Sequence, residues 1–192
     1  MKHTFLNSCF IRWSIPFVCG LATPAWAELK GGDQAPDFTL EAALGGNDFT
    51  FRLADALKNG PVVLYFYPKS FTRGCTIEAH EFADAVGDFG RAGATLIGVS
   101  RDTIETQREF SKEACRDKFA VAADPQLTVI RAYDAVSTRL SPSGDVFSDR
   151  ISYVITPDHK IFYAYNDREP HKHIENTLAA VKRWRTEGKP SQ

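Results

Sequence analysis

An α/β fold, with a central mixed sheet flanked by helices, is what this sequence predicts. Three observations carry the expectation. Apolar, β-rich runs at 61–67 ("PVVLYFY") and 94–100 ("ATLIGVS") are continuous rather than alternating, as in strands covered on both faces. A segment of helical spacing follows each of them. Two further strands, 151–156 and 160–166, are joined only across Pro157-Asp158-His159, which makes them an antiparallel pair. With 192 residues, 43% of them hydrophobic, the chain can bury a sizeable single core.

The elements follow in order. Residues 1–27 contain no acidic residue, carry Lys2, His3 and Arg12 early, and run apolar from Trp13 to Ala22 before closing on Ala25-Trp26-Ala27. That is the pattern of a cleavable export signal. Its apolar run is too short for a membrane-spanning helix, which needs roughly 20 residues, and bulky Phe17 and Val18 before Cys19 argue against a lipid-attachment site. The remaining 28–192 form one domain. A short strand is expected at 38–40, with "NDFTFRL" as its hairpin partner across Gly45-Gly46. Strand 61–67 stops at Pro68, and a helix runs from Cys75 to about Phe89 with Phe82, Val86 and Phe89 on one face. Strand 94–100 leads into a helix over 101–115, where Asp102 and Glu105 have the spacing of a capping box. After the two paired strands, a last helix places Ile174, Leu178 and Val181 together. Strand–helix–strand–helix, then hairpin and helix, is the order of the thioredoxin fold, with the N-terminal hairpin and residues 117–149 as additions.

Cleavage after Ala27 removes Lys2 and Arg12 and no acid, taking the formal charge from −1 down by two, to −3. No basic stripe supports nucleic-acid binding. Cleavage also removes Cys9 and Cys19, leaving Cys75 and Cys115. In an exported domain, two cysteines are by default a structural disulfide. Cys75, however, lies where a strand's carboxyl end meets a helix start, the place where ligands gather in α/β sheets. Unpaired N–H groups and the helix dipole favour negative charge there, and the thiolate is the nucleophilic form of cysteine. "TRGC" puts a hydroxyl, a cation and a glycine before it, an odd lining for a core, although a cysteine buried as a small hydrophobe is the alternative.

The segment "YFYPKSFTRGCTIEAHEF" resembles the active-site segment of peroxiredoxins, with signature P-x-x-x-[TS]-x-x-C, in its bacterioferritin-comigratory (Q-type) form. Pro68, Thr72 and Cys75 fall on that signature. Downstream, "SDRISYVITPDHKI" resembles the strand that supplies the family's active-site arginine, which is Arg150 here. The resemblance extends from about Gly31 to the C-terminal helix. It implies a thiol-dependent peroxidase acting on hydrogen peroxide and organic hydroperoxides, with no cofactor. Cys75 would be the peroxidatic thiolate, Thr72 would hold it and orient the peroxide, Arg150 would supply positive charge, and Pro68 would shield the site. Read without the resemblance, Thr72 is a helix cap, Arg150 a surface arginine and Pro68 a strand terminator. Glu78 pairs with a pocket cation or merely favours the helix dipole.

The chain departs from the family at His80, where many Q-type relatives carry a resolving cysteine. The absence of a cysteine at Glu78 also argues against a C-x-x-C oxidoreductase. Cys115 is the remaining resolving candidate, about one turn beyond the cysteine some relatives use on the same helix. From Thr103 it is twelve steps, about 18 Å of helix, whereas a disulfide needs Cα atoms within roughly 7 Å. Resolution within one chain would therefore need local unwinding. His171 and His173 are expected on an exposed turn, not at a metal. The expected partners are the peroxide and a thioredoxin-like or other thiol reductant, without nucleic acid or membrane, for an exported, periplasmic monomer or dimer. Two readings compete: a thiol–disulfide exchange protein, and a non-catalytic thioredoxin-fold binding module with a static Cys75–Cys115 disulfide.

Overall fold

The computed structural model describes residues 28–187; the export segment expected over 1–27 lies outside the described residues. Seven strands form one mixed sheet: β1 (Thr39–Leu44), β2 (Asn47–Arg52), β3 (Val62–Phe66), β4 (Thr95–Ser100), β5 (Ala120–Ala123), β6 (Ile151–Ile155) and β7 (Ile161–Asn166). Their spatial order is β2-β1-β5-β4-β3-β6-β7. Five helices accompany them: α1 (Leu53–Leu57), α2 (Arg73–Arg91), α3 (Ile104–Glu113), α4 (Thr128–Ala132) and α5 (His171–Glu187). The adjacent strands β4-β3-β6-β7 are the expected thioredoxin-like unit, and the hairpin β1–β2 extends the sheet through β5. The β3–α2–β4 and β4–α3–β5 units join parallel strands, and β6 runs antiparallel to β3.

The alternation along β3 explains why its sequence is apolar throughout. Val62, Leu64 and Phe66 enter one core with Leu53, Leu57, Ile130, Tyr133 and Tyr153. Val63, Tyr65 and Tyr67 enter the other, with Phe82 and Phe89 of α2, Phe110 of α3 and Val181 of α5. Each face of the sheet thus has its own helical cover. Both cysteines among the described residues, Cys75 and Cys115, are in the second core, and both are free. The static Cys75–Cys115 disulfide of the binding-module reading is therefore not present.

The remaining differences from the sequence expectations have local causes. The first strand is Thr39–Leu44 rather than 38–40, because Ala42 and Ala43 pair with Phe49 and Asp48 on one side and with Ala122 and Val121 on the other. Gly45 and Gly46 make the two-residue turn of the hairpin with φ of 56° and 78°, the left-handed values such a turn requires. Helix α3 is capped by Thr103, whose hydroxyl accepts from the Thr106 N–H, and not by Asp102. It ends at Glu113, so Cys115 lies beyond it. The stretch 117–149 contains β5 and α4, which were not expected. "AVAA" has no alternation or turn signal and low β-propensity, but strands on both sides and complete burial hold it in the sheet.

Candidate active site

One strand–helix junction and one strand register bring the site together. β3 ends at Phe66, and the chain continues through Tyr67 and Pro68 to the start of α2. β6 begins at Ile151 opposite Phe66, running the other way, so Arg150 falls beside the carboxyl end of β3. The sheet thereby places a residue from far along the chain next to the first turn of α2.

Cys75 is the third residue of α2, with Thr72 at the cap position, and is 2% exposed. Arg150, itself 8% exposed, directs its whole guanidinium inward. Nη2–H donates to Cys75 Sγ at 3.6 Å, Nη1–H donates to Glu78 Oε2, and Nε–H donates to the Arg168 carbonyl at 3.1 Å. Two acceptors on α2 and one in the loop between β7 and α5 fix one planar fork. Glu78 is fully buried, so the pocket-cation reading of this residue describes its place in the structure. Burial raises its carboxyl to about 8, although Arg150 pulls the other way. Burial likewise works against the charge of Arg150, but Glu78 and Cys75 outweigh it and raise the guanidinium above its usual value.

Thr72 is placed otherwise than expected. Its hydroxyl donates to the Lys69 carbonyl at 2.9 Å, makes no helix-capping bond, and does not bond Cys75. The direct hold on the sulfur comes from Arg150. With its proton committed, Thr72 Oγ1 retains lone pairs that can accept a hydrogen bond. Pro68 and Thr72 line a groove of about 570 Å³ together with Thr103 and Thr106 of the α3 start and with Leu140 and Phe147.

The loop between Pro68 and Thr72 is held by groups that composition does not reveal. Tyr67 Oη donates to Gln107 Oε1 at 2.7 Å; Gln107 Nε2 donates to Ser100 Oγ and to the Ala122 carbonyl. Asp102 Oδ2 accepts from the Ser70 N–H at 2.7 Å and from Ser100 Oγ–H at 2.8 Å. This is what Asp102 does in place of capping. Phe71 takes a left-handed backbone, φ 63°, unusual for an aromatic residue, with its ring edge-on to Phe110 at 5.2 Å. A fully bonded polar network and one strained residue set the path from β3 into α2.

His173 is buried, correcting the exposed turn expected for it; His171 is exposed and pairs with Glu81. His173 Nδ1 meets Ser152 Oγ at 2.8 Å and Nε2 meets the Asp167 carbonyl at 2.9 Å. The ring supports the segment whose Arg168 carbonyl holds Arg150. Burial pushes His173 down to about 4 from an ordinary 6.5. As pH falls through that interval the unfolded chain takes up a proton that the folded chain refuses. This group should therefore remove up to roughly 3 kcal/mol of stability between about pH 6.5 and 4. Glu78, with its raised carboxyl, has the opposite sign between about 4.5 and 8. The His173 contribution is thus read by difference: urea unfolding of His173→Asn should lose less stability from neutral pH to about 4 than wild type does. Equal losses in both would contradict it.

Cys115 is fully buried at the far end of the α3 excursion, just before β5. Burial pushes its thiol far up. Among the described residues there is no group of three or more His, Cys, Asp or Glu side chains placed to hold a metal ion, and no helix long and apolar enough to cross a membrane.

The sequence model of the AhpC/TSA family matches residues 31–164. Peroxiredoxin Bcp of Xanthomonas campestris pv. campestris is 30% identical over 150 residues, covering 77% of this chain and 91% of that protein. The crystal structure of peroxidoxin BcpB from Mycobacterium tuberculosis has a TM-score of 0.72 at 30% identity, covering 81% of this chain and 98% of that one. A bacterioferritin comigratory protein structure from Xanthomonas campestris, described for its alkyl peroxide reduction activity, has a TM-score of 0.66 at 27% identity, covering 76% and 92%.

Proposed function

The chain belongs to the AhpC/TSA family and is a peroxiredoxin, a thiol peroxidase, and from that premise we propose that Cys75 is its peroxide-attacking sulfur and Cys115 its resolving thiol. The observation that supports this most is the Arg150 fork on Cys75 Sγ, because it brings positive charge to the one sulfur at the strand–helix junction. The deprotonated sulfur attacks the terminal oxygen of the peroxide. An S–O bond forms, the O–O bond breaks, and the departing oxygen leaves with the bonding pair and takes a proton, giving water or an alcohol. Arg150 stabilises the charge developing on that oxygen. Thr72 Oγ1, able only to accept, takes a hydrogen bond from the peroxide O–H and sets its approach along the groove.

Cys75 is then a sulfenic acid. The Cys115 thiol displaces its hydroxyl: an S–S bond forms, the S–O bond breaks, and the hydroxyl leaves as water with the thiol's proton. A thioredoxin-like or other thiol reductant returns two electrons to the disulfide. Because Cys115 is buried beyond α3, this step requires the first turn of α2 or the segment after α3 to open. We read the substrates as organic hydroperoxides as well as hydrogen peroxide, a reading that the groove beside Pro68 and Thr72 supports.

The test is intact mass and non-reducing peptide mapping after one equivalent of peroxide. Wild type should lose two hydrogens and yield a Cys75–Cys115 peptide. Cys115→Ser should consume its first equivalent at the wild-type rate, then gain one oxygen, stall, and over-oxidise with further peroxide. Unchanged steady turnover in Cys115→Ser, with no disulfide in wild type, would reduce the mechanism to one cysteine. We also read the chain as exported, acting outside the cytoplasm as a monomer or dimer. N-terminal sequencing from its native cell should find Glu28 first, and recovery only of chains beginning at Met1 would refute this.

A further inference from the structure

Two buried side-chain polar atoms have no hydrogen-bond partner among the described residues: Glu78 Oε1 and Tyr65 Oη. Glu78 is bound to Arg150 through its other oxygen. Tyr65 has no such account. Its side chain is 1% exposed, and β3 turns it into the core that holds both thiols. The ring stacks on Phe82 at 4.5 Å and lies 6.1 Å from Phe119. It also lies across β4 at Gly98, where a Cβ would come within 2.6 Å of Tyr65 Cζ and 2.7 Å of Oη. Only glycine leaves room for this crossing. The crossing carries the hydroxyl from β3 over β4, within the core that also holds Cys115 and Phe119. Burial raises the phenol well above its usual value, and Cys115 is among the groups that push it the same way. A buried hydroxyl without a partner is destabilising, and phenylalanine would fill the same space without that penalty.

We propose that Tyr65 is a positioning residue for the resolving step, its hydroxyl donating a hydrogen bond to the Cys115 sulfur as that thiol gives up its proton to attack the Cys75 sulfenic acid. The proposal rests on the reading that Cys115 resolves. Such a donor is needed because burial opposes the ionised form of Cys115. In the reduced protein the bond is not made; the phenol makes it as the segment after α3 moves toward Cys75. The proton leaves Cys115 for the departing hydroxyl, which becomes water, and Tyr65 keeps its own.

The experiment is Tyr65→Phe, read step by step after a single equivalent of peroxide. Sulfenic acid formation should stay within about twofold of wild type. Disulfide formation should slow about tenfold, the loss of one hydrogen bond to a charged group, and over-oxidation should rise in proportion. Urea unfolding should show the variant no less stable than wild type. A disulfide rate within twofold of wild type overturns the proposal, as does equal slowing of both steps with loss of stability, which would mark a packing role. Cys115→Ser is run beside it. If that variant turns over normally, the resolving role of Cys115 fails and the Tyr65 inference falls with it; if it stalls, the Tyr65→Phe result judges the hydroxyl alone.

Discussion

Cys75→Ser will abolish peroxide consumption, by at least about a thousandfold, on the order of removing a nucleophile from a catalytic group that acts as a unit. Serine keeps the shape of the residue and, at 2% exposure beside the Arg150 Nη2–H, its hydroxyl has a donor to accept from. The fold should therefore survive. What is lost is the ionisable, polarisable atom: a serine hydroxyl is almost never deprotonated near neutral pH. Single-turnover peroxide loss, followed with circular dichroism on the same sample, separates the two effects. Cys115 cannot substitute, because burial disfavours the ionised form of its thiol. A Cys75→Ser protein that still consumed peroxide within tenfold of wild type would remove Cys75 from the chemistry.

The site was legible in the sequence where local pattern and chemistry coincide. A fully apolar strand ending at Pro68, followed by a helix whose first turn holds Cys75, needs no partner elsewhere in the chain to be recognised. Arg150 required a second motif, because its approach to Cys75 depends on the antiparallel register of β3 and β6. The interior polar groups were the hardest, yet two of them carried a signal. Cys75, Glu78, Ala79 and Phe82 share the buried face of α2, so a glutamate on the apolar stripe pointed to a buried partner. His173, Thr177, Ala180 and Val181 recur in the same way on α5 and place the histidine inward. Gln107, Ser100 and Asp102 carried none, since only the assembled loop shows where their hydrogen bonds go. β5 is the tertiary counterpart: four small residues become a strand because β1 and β4 flank them.

Arg150→Met should slow peroxide reduction at least about tenfold, since it removes both the donor on Cys75 Sγ and the fixed charge for the departing oxygen. It should also destabilise the protein, for a different reason. Glu78 is fully buried, and its Oε2 loses the only partner the carboxylate has among the described residues. Breaking one side of a buried pair costs about 3–5 kcal/mol when the other charge stays. Glu78 can escape part of that by keeping a proton, because its carboxyl already stands at about 8 with Arg150 present. Without the guanidinium it rises further. The folded state then holds a proton that the unfolded chain releases near its ordinary 4.5; wild type shares that loss up to about 8, so the destabilisation relative to wild type grows as pH rises above about 8 and is greatest on the alkaline side. Urea unfolding at pH below and above about 8 should show the gap between variant and wild type widening. Glu78→Gln in the Arg150→Met background should restore most of the alkaline stability and none of the peroxidase rate. That split would separate the two roles: Glu78 holds the arginine in place, and the arginine acts on the sulfur and the oxygen. Recovery of the rate along with the stability would show instead that Arg150 matters only for packing, and its catalytic role would have to be withdrawn.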